Sequence, residues 1–310
     1  MTEGAETTVE VQTDGVTGSV ADSARHREVY GAVALMVVAT AIYAPILYFM
    51  VLQWHDYEDY SHGFLIVPLA AFFTWERRAQ LREAAVSSSW WGVLPLALGS
   101  LTLVVGRLGT ELMNMRCSFV LTLIGLVLLL LGRRICRILA FPLLFLFLMV
   151  PLPQSLVNIV AFPLQLTAAD LAVRGLFLLQ IPALREGNII HLPNSTLFVA
   201  QACSGLRSLM ALITLGVVFA YFFRKTTIER VLIVLSAIPI AILVNSFRVA
   251  LTGVLTARFG EEFAGGVIHE TQGFFTFGLA FLVLLAEAGL LARLQPLWRR
   301  LANRTEISRP

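Results

Sequence analysis

The chain has 310 residues, of which 57% are hydrophobic and only 14% are charged. A soluble domain carries roughly 25% charged residues, so the composition excludes an ordinary soluble fold and predicts an all-α polytopic membrane protein. Twenty-two of the 23 basic residues are arginine, so a lysine-rich tail is absent and we expect no nucleic-acid partner. The cysteines Cys117, Cys136 and Cys203 lie far apart without a CxxC pair, so we expect no disulfide framework, no metal site and no cofactor.

The two ends of the chain differ from its apolar interior. Residues 1–24 are polar and lack an apolar period, and they are predicted to form a disordered cytoplasmic tail. Residues 25–298 are predicted to form a single transmembrane domain, and residues 299–310 a basic cytoplasmic tail. About 20 residues cross the hydrocarbon of a bilayer as a helix. The apolar runs predict about eight transmembrane helices, at about Tyr30–Leu52, Phe64–Trp75, Trp90–Gly106, Met113–Leu131, Ile138–Val150, Cys203–Phe223, Ile228–Phe247 and Thr271–Leu294.

Residues 154–202 do not fit the pattern of simple spans. The run 162–181 is apolar but includes Asp170 and Arg174, which can pair one helical turn apart, and we predict an interfacial or re-entrant helix there. From Asn188 to Ala202, apolar and polar residues alternate on either side of a Pro-Asn-Ser turn signal. This alternation predicts a small extracytoplasmic β-hairpin that leads to Cys203.

The distribution of basic residues predicts the orientation, because cytoplasmic loops gather Arg and Lys. With eight spans, 16 of the 23 basic residues fall on one side, which is therefore predicted to be cytoplasmic and to hold both termini. Cys203, Arg248 and His269 then lie at the extracytoplasmic boundary. If residues 162–181 crossed the membrane, the N-terminal basic clusters would be turned outward, and the charge bias argues against that.

Cys203 is the first candidate catalytic residue. It lies at a predicted helix N-terminus, where the helix dipole and free N–H groups stabilise a thiolate nucleophile. Ser204 can cap this helix, Gly205 allows close backbone approach, and Arg207 lies one turn further on the same face. The alternative is that Cys203 is an inert small apolar residue, which is what we expect of Cys117 and Cys136.

Arg248, Asn245 and His269 are the other candidates at this depth. Asn245 and Arg248 lie three residues apart on one helix face, where they can hold a carboxylate, a carbonyl or an oxyanion; the alternative is an arginine that reaches to the membrane interface. His269 can exchange protons near neutral pH. Its neighbour Glu270 points about 100° away on a helix. His62, also predicted to be extracytoplasmic, is a rival base or a residue that faces substrate.

These residues resemble a known family. Residues 202–208 (ACSGLRS) and 245–248 (NSFR), followed by His269 ahead of the last span, resemble the exosortase branch of the exosortase/archaeosortase family. Residues 59–64 (DYSHGF) and 151–153 (PLP) resemble further motifs of that family.

The resemblance, which covers about residues 30–295, implies a bacterial inner-membrane cysteine transpeptidase. It implies catalytic roles for Cys203, Arg248 and His269, and it implies substrates that carry a C-terminal sorting tail made of a Pro-Glu-Pro-like motif, a transmembrane helix and a basic cluster. The other expected partners are membrane lipids and an unknown amine acceptor.

Two other functions are compatible with a polytopic membrane protein. A transporter or a lipid-linked glycan-handling protein needs polar residues at mid-membrane in several spans, whereas here the polar candidates gather at one predicted face. A non-catalytic assembly scaffold would leave Cys203 with a structural role only.

Overall fold

The computed structural model describes residues 13–193, 195–199, 205–223, 226–260 and 266–307, and within them the side chains of residues 26–193, 195–199, 209–222, 226–260 and 271–293. Residues 1–12 of the predicted disordered tail lie outside this description, and residues 13–24 belong to the first helix. The chain divides into two compact units, Met1–Pro151 and Leu152–Pro310.

All the regular elements of the N-terminal unit are helices in its described part. Short 3₁₀ turns at Glu58–Tyr60, Trp90–Gly92 and Leu146–Met149 connect its helices, and the π-helical segment Val127–Leu131 joins two of them. The helices are α1 (Thr13–Ile42), α2 (Ala44–Asp56), α3 (Gly63–Glu76), α4 (Arg78–Glu83), α5 (Val93–Leu108), α6 (Leu112–Leu126), α7 (Gly132–Ile138) and α8 (Ala140–Phe145).

Several predicted spans differ in the structure. The first is bent by 66° between α1 and α2, where Pro45 lacks the N–H and crowds the preceding turn. The second corresponds to α3, of 14 residues, and the fifth to a short apolar helix, Ala140–Met149. Within the described residues, five helices are long and apolar enough to cross a bilayer, or six if the bent pair is one span. Eight spans are therefore not confirmed.

The C-terminal unit combines long helices with a small sheet. Its elements are α9 (Gln154–Leu178), β1 (Leu184–Glu186), β2 (Ile189–Leu192), β3 (Ser195–Phe198), α10 (Gly205–Phe223), α11 (Thr227–Phe259) and α12 (Gly266–Ile307). The strands form one antiparallel sheet in the order β1-β2-β3, in which Glu186 pairs with Ile189 and Leu192 with Ser195. The predicted hairpin is thus β2–β3, and the sequence reasoning missed β1, whose residues are all exposed.

Helix α9 differs from the predicted interfacial or re-entrant element. It is one continuous helix of 25 residues with the length and hydropathy of a membrane span. The predicted pair Asp170–Arg174 is present, with 2.9 Å between carboxylate and guanidinium. The polar residues that argued against a span are therefore accommodated within an unbroken helix.

The sheet packs on α9 and α11 through a buried apolar cluster. Its members are Ala169, Ala172, Val173, Leu176, Ile181, Ala183, Ile190, Leu192, Leu197, Val199 and Val249. Helix α11 is continuous for 33 residues, so the predicted end of its span near Phe247 is wrong as a helix end. The residues after it continue the helix because Val249 and its neighbours bury their side chains against the sheet and α9.

Two glycines with similar backbone conformations differ in how closely other atoms pack around them. Gly132 and Gly260 share a positive φ (89° and 92°), a conformation that L side chains rarely adopt. A Cβ at Gly132 would overlap the carbonyl oxygen of Ser87, whereas a Cβ at Gly260 would meet nothing within 4 Å. Gly132→Ala is therefore expected to lower the melting temperature in detergent, measured by intrinsic fluorescence, more than Gly260→Ala. Equal shifts would mean that backbone strain alone decides the outcome.

Candidate active site

Buried polar side chains line the contact between α11 and α12. Asn245, Arg248, Thr252 and Thr256 follow one another at intervals of three or four residues on α11, and Gln272 and Thr276 lie four residues apart on α12. All six are between 1% and 7% exposed. We call this set the polar seam. In helices of such high hydropathy, buried polar groups are costly and mark functional or packing sites.

Arg248 lies about one bilayer thickness from the start of its helix. It follows Thr227 by 21 residues, or about 32 Å at 1.5 Å per residue, against about 30 Å of hydrocarbon. Gln272 precedes Arg293, near the end of the last candidate span, by the same number of residues. The two residues therefore have the same depth when Thr227 and Arg293 share one boundary, in agreement with the observed contact of their helices.

A small cavity adjoins Arg248. Its volume is about 10 Å³, and its lining combines polar side chains of the seam with apolar ones from three helices: Leu212, Ala241, Val244, Asn245, Arg248, Thr276, Phe277 and Ala280. A volume of this size holds one water-sized group. The predicted placement of Asn245 and Arg248 on one inward face is thus present in the structure, and the cavity beside them admits an oxygen atom rather than a side chain.

Hydrogen bonds connect the two sides of the seam. Thr252 Oγ1 donates to Gln272 Oε1 at 2.8 Å and also lies 2.9 Å from the carbonyl oxygen of Arg248. Thr276 Oγ1 donates to the carbonyl oxygen of Gln272 at 2.7 Å. An ideal Cβ at Gly273 would lie 3.6 Å from a terminal nitrogen of Arg248, so α12 presents bare backbone to the guanidinium. Together these contacts fix the register of α11 against α12.

Other predicted site residues lie outside what the structure describes. Cys203 and Ser204 are not among the described residues, and Gly205 is the first residue of α10. Arg207 belongs to α10 and His269 to α12, but the side chains of both fall outside the description. Position 269 shares a helix face with positions 272 and 276 by helical spacing. Contacts of Cys203, Arg207 and His269 with Arg248 stay a prediction.

His62 belongs to the N-terminal unit, where it precedes α3 in a polar turn. Burial lowers the pKa of its imidazole; hydrogen bonds to the backbone of Leu148 and Asp59 and the charge of Asp59 act in the opposite direction. Near it, Trp54 Nε1 donates to the carbonyl oxygen of Met149 at 3.0 Å. A Cβ at Gly63 would overlap the Trp54 ring. The turn therefore packs against the end of the predicted span Ile138–Val150.

Polar groups of the DYSHGF motif, together with Arg116 of α6, surround the same turn. Burial raises the pKa of the Asp59 carboxyl, and burial together with Asp59 raises the pKa of the Tyr60 phenol. The guanidinium of Arg116, 2% exposed, lowers the pKa of Tyr60 in turn. Cys117 and Cys136 are free and half-buried.

The sequence reasoning also missed Thr252, Thr256, Gln272 and Thr276. The predicted span ended near Phe247, so Thr252 and Thr256 were not placed on its helix. The available signal was the spacing of Arg248, Thr252 and Thr256 at intervals of four, which places three polar side chains on one face of a helix.

Comparison with known families assigns the chain. A model of the transmembrane exosortase family matches residues 54–286. This match covers most of the chain and includes α3 and the polar seam, so the protein belongs to the transmembrane exosortase family. The resemblance described from its motifs is thereby confirmed, and the family membership implies a membrane transpeptidase that acts on exported proteins. Comparisons with curated proteins and with solved structures find no significant match.

The low pKa of His62 predicts a pH dependence of stability. As pH falls below 6.5, the ordinary value, the unfolded chain takes up a proton that the folded His62 resists, so the free energy of unfolding decreases. His62→Gln removes this proton uptake. Melting temperatures of the full-length chain above and below pH 6.5 are therefore expected to differ more for the wild type than for His62→Gln.

Asp59→Asn is the control for this experiment, since the raised pKa of Asp59 makes an opposite contribution that stabilises the folded chain as pH falls toward 3.8. Asp59→Asn removes this contribution, so the free energy of unfolding should decrease more steeply as pH falls. Identical pH dependence in the wild type and His62→Gln would contradict the lowered pKa of His62.

Proposed function

We propose that the protein is a cysteine transpeptidase that cleaves C-terminal sorting signals of exported proteins at the outer face of the bacterial inner membrane. The observation that carries this proposal is the buried pair Asn245 and Arg248 beside a cavity of oxygen size, in a chain of the transmembrane exosortase family. Acyl transfer develops negative charge on a carbonyl oxygen, and fixed donors shielded from water are the groups that stabilise it best.

Cys203 is the proposed nucleophile. Its thiolate, two residues ahead of the first residue of α10, forms a C–S bond with the scissile carbonyl while the carbonyl electron pair moves to oxygen. The guanidinium of Arg248, supported by Asn245 and Arg207, donates hydrogen bonds to that oxygen. Arginine suits this role because its charge is permanent and its planar donors are pre-organised.

His269 is the proposed general acid and base. Its imidazole takes the thiol proton of Cys203 and returns it to the leaving nitrogen as the tetrahedral intermediate collapses to a thioester. An amine acceptor, or water, then attacks the thioester and releases Cys203. Ser204 and Gly205 shape the entrance to α10, and His62 is proposed to face the substrate.

The proposed substrate is a sorting tail with a Pro-Glu-Pro-type motif, a transmembrane helix and a basic tail. Its helix would lie among membrane lipids beside the enzyme, so that the motif emerges at the depth of Arg248. This proposal places both termini in the cytoplasm and the three-stranded sheet outside. Because α9 has the length of a span, that orientation requires a direct test.

Cleavage is tested by coexpression with a secreted reporter that carries such a tail. The wild type is expected to shorten the reporter, Cys203→Ala and His269→Ala are expected to leave it uncut, and Arg248→Ala is expected to cut it slowly. Loss of an oxyanion donor alone costs about 10²–10³-fold in turnover, so Arg248→Ala should show slow processing in long incubations.

Arg174→Ala is the matched control, because Arg174 lies on the same unit in an exposed ion pair, 73% exposed, that contributes little. It should process the reporter as the wild type does. Equal cleavage by Cys203→Ala would exclude the cysteine mechanism.

Orientation is tested at the turn between β1 and β2. Gly187 has a φ of 61° and open space around its Cα, so a short epitope inserted between Gly187 and Asn188 should be tolerated. We expect an antibody to reach this epitope in intact spheroplasts, and to reach one appended after Pro310 only when the membrane is permeabilised. The reverse result would place the sheet in the cytoplasm and contradict an extracytoplasmic site.

A further inference from the structure

Gln272 is an unusual residue for the interior of an apolar helix pair. It is 6% exposed and lies on α12 opposite Thr252. Its Oε1 accepts a hydrogen bond from Thr252, but its Nε2 is buried and, among the residues that the structure describes, has no acceptor. A buried amide N–H without an acceptor destabilises the folded state. A purely structural role therefore does not explain the carboxamide at this position.

Thr252 contacts the Oε1 end of the Gln272 carboxamide. Thr252 is 1% exposed, and its Oγ1 also lies 2.9 Å from the carbonyl oxygen of Arg248. With Oε1 bound to Thr252, Nε2 is the end of the carboxamide that has no partner among the described residues. The next residue, Gly273, packs beside the Arg248 guanidinium. Arg248 and Gln272 are therefore neighbours across the seam, at the same depth along their helices.

We propose that Gln272 is a catalytic residue of the proposed transpeptidase: its Nε2 donates a hydrogen bond to the carbonyl oxygen that Arg248 also stabilises. The inference rests on the proposed function. During attack, the C–S bond forms, the carbonyl electron pair moves to oxygen, and Gln272 donates a hydrogen bond without transferring a proton. The orphaned N–H of the resting enzyme is then satisfied only when the oxyanion is present, which is a condition for preferential binding of the transition state.

The test compares variants of the full-length chain in lipid nanodiscs, with the tailed reporter as substrate and initial rates measured over a range of reporter concentrations. Gln272→Met keeps the length of the side chain and removes both N–H donors. Thr252 then keeps the carbonyl of Arg248 as its acceptor. Turnover is expected to fall about 10²-fold with KM unchanged, and the melting temperature is expected to stay the same or rise. Gln272→Glu, which replaces the donors by an acceptor oxygen, is expected to lose at least as much.

Thr214→Val is the matched control. Thr214 is 3% exposed on α10, and its Oγ1 is likewise buried without a hydrogen-bond partner in the described part of the chain. Removing this orphaned group should leave turnover intact. Wild-type turnover by Gln272→Met, in a preparation where Cys203→Ala is inactive, would overturn the role of Gln272 and leave the proposed function standing.

A structural role is distinguished by stability. If Gln272→Met lost turnover only in proportion to a lower melting temperature, or if Thr214→Val lost as much, the inference would be overturned. If the wild type did not cleave the reporter, or if Cys203→Ala cleaved it, the proposed function and the inference would both fall.

Discussion

The C-terminal unit depends on one constraint: a polar group inside a membrane helix pair must find its partner within the protein, because lipid offers none. Thr252 and Thr276 meet it with carbonyl groups one turn back on their own helices and with Gln272 across the seam. Small side chains make such contacts possible, since they let the helix backbones approach closely. The polar groups thus set the register of α11 and α12, and the register sets the depth of Arg248.

Two neighbouring residues of α11 face different surroundings. Arg248 turns into the polar seam, whereas Val249, fully buried, joins the apolar cluster under the sheet. Leu176 of α9 packs against Gly253 on the same extension of α11. Because the packed sheet holds this extension on one side and α12 holds it on the other, Arg248 is positioned by a rigid stretch of helix rather than by a loop. Such support is what the proposed role of Arg248 as an oxyanion donor would require.

The membrane class, most long helices and the placement of Asn245 beside Arg248 followed from the sequence, because hydropathy and helical spacing are local properties. The continuation of α11 to Phe259 did not, since the packing of Val249 on a sheet is a non-local contact. The bend at Pro45 was signalled by proline, but its size depends on packing. The proposed roles of Cys203, Ser204 and the side chain of His269 come from the sequence motifs alone.

A second polar contact limits how a substrate reaches the seam. Ser236 on α11 donates to Glu287 on α12 at 2.5 Å, 16 residues before Thr252 makes its contact with Gln272. At 1.5 Å per residue the two contacts lie about 24 Å apart along α11. The helix pair is therefore joined at both ends of the stretch that passes Arg248. Separating the helices sideways would break both contacts in lipid. In the proposed reaction, a peptide bond would therefore reach Arg248 from the end of the seam that holds Thr252 and Gln272, where α11 extends past the thickness of a bilayer and packs on the sheet.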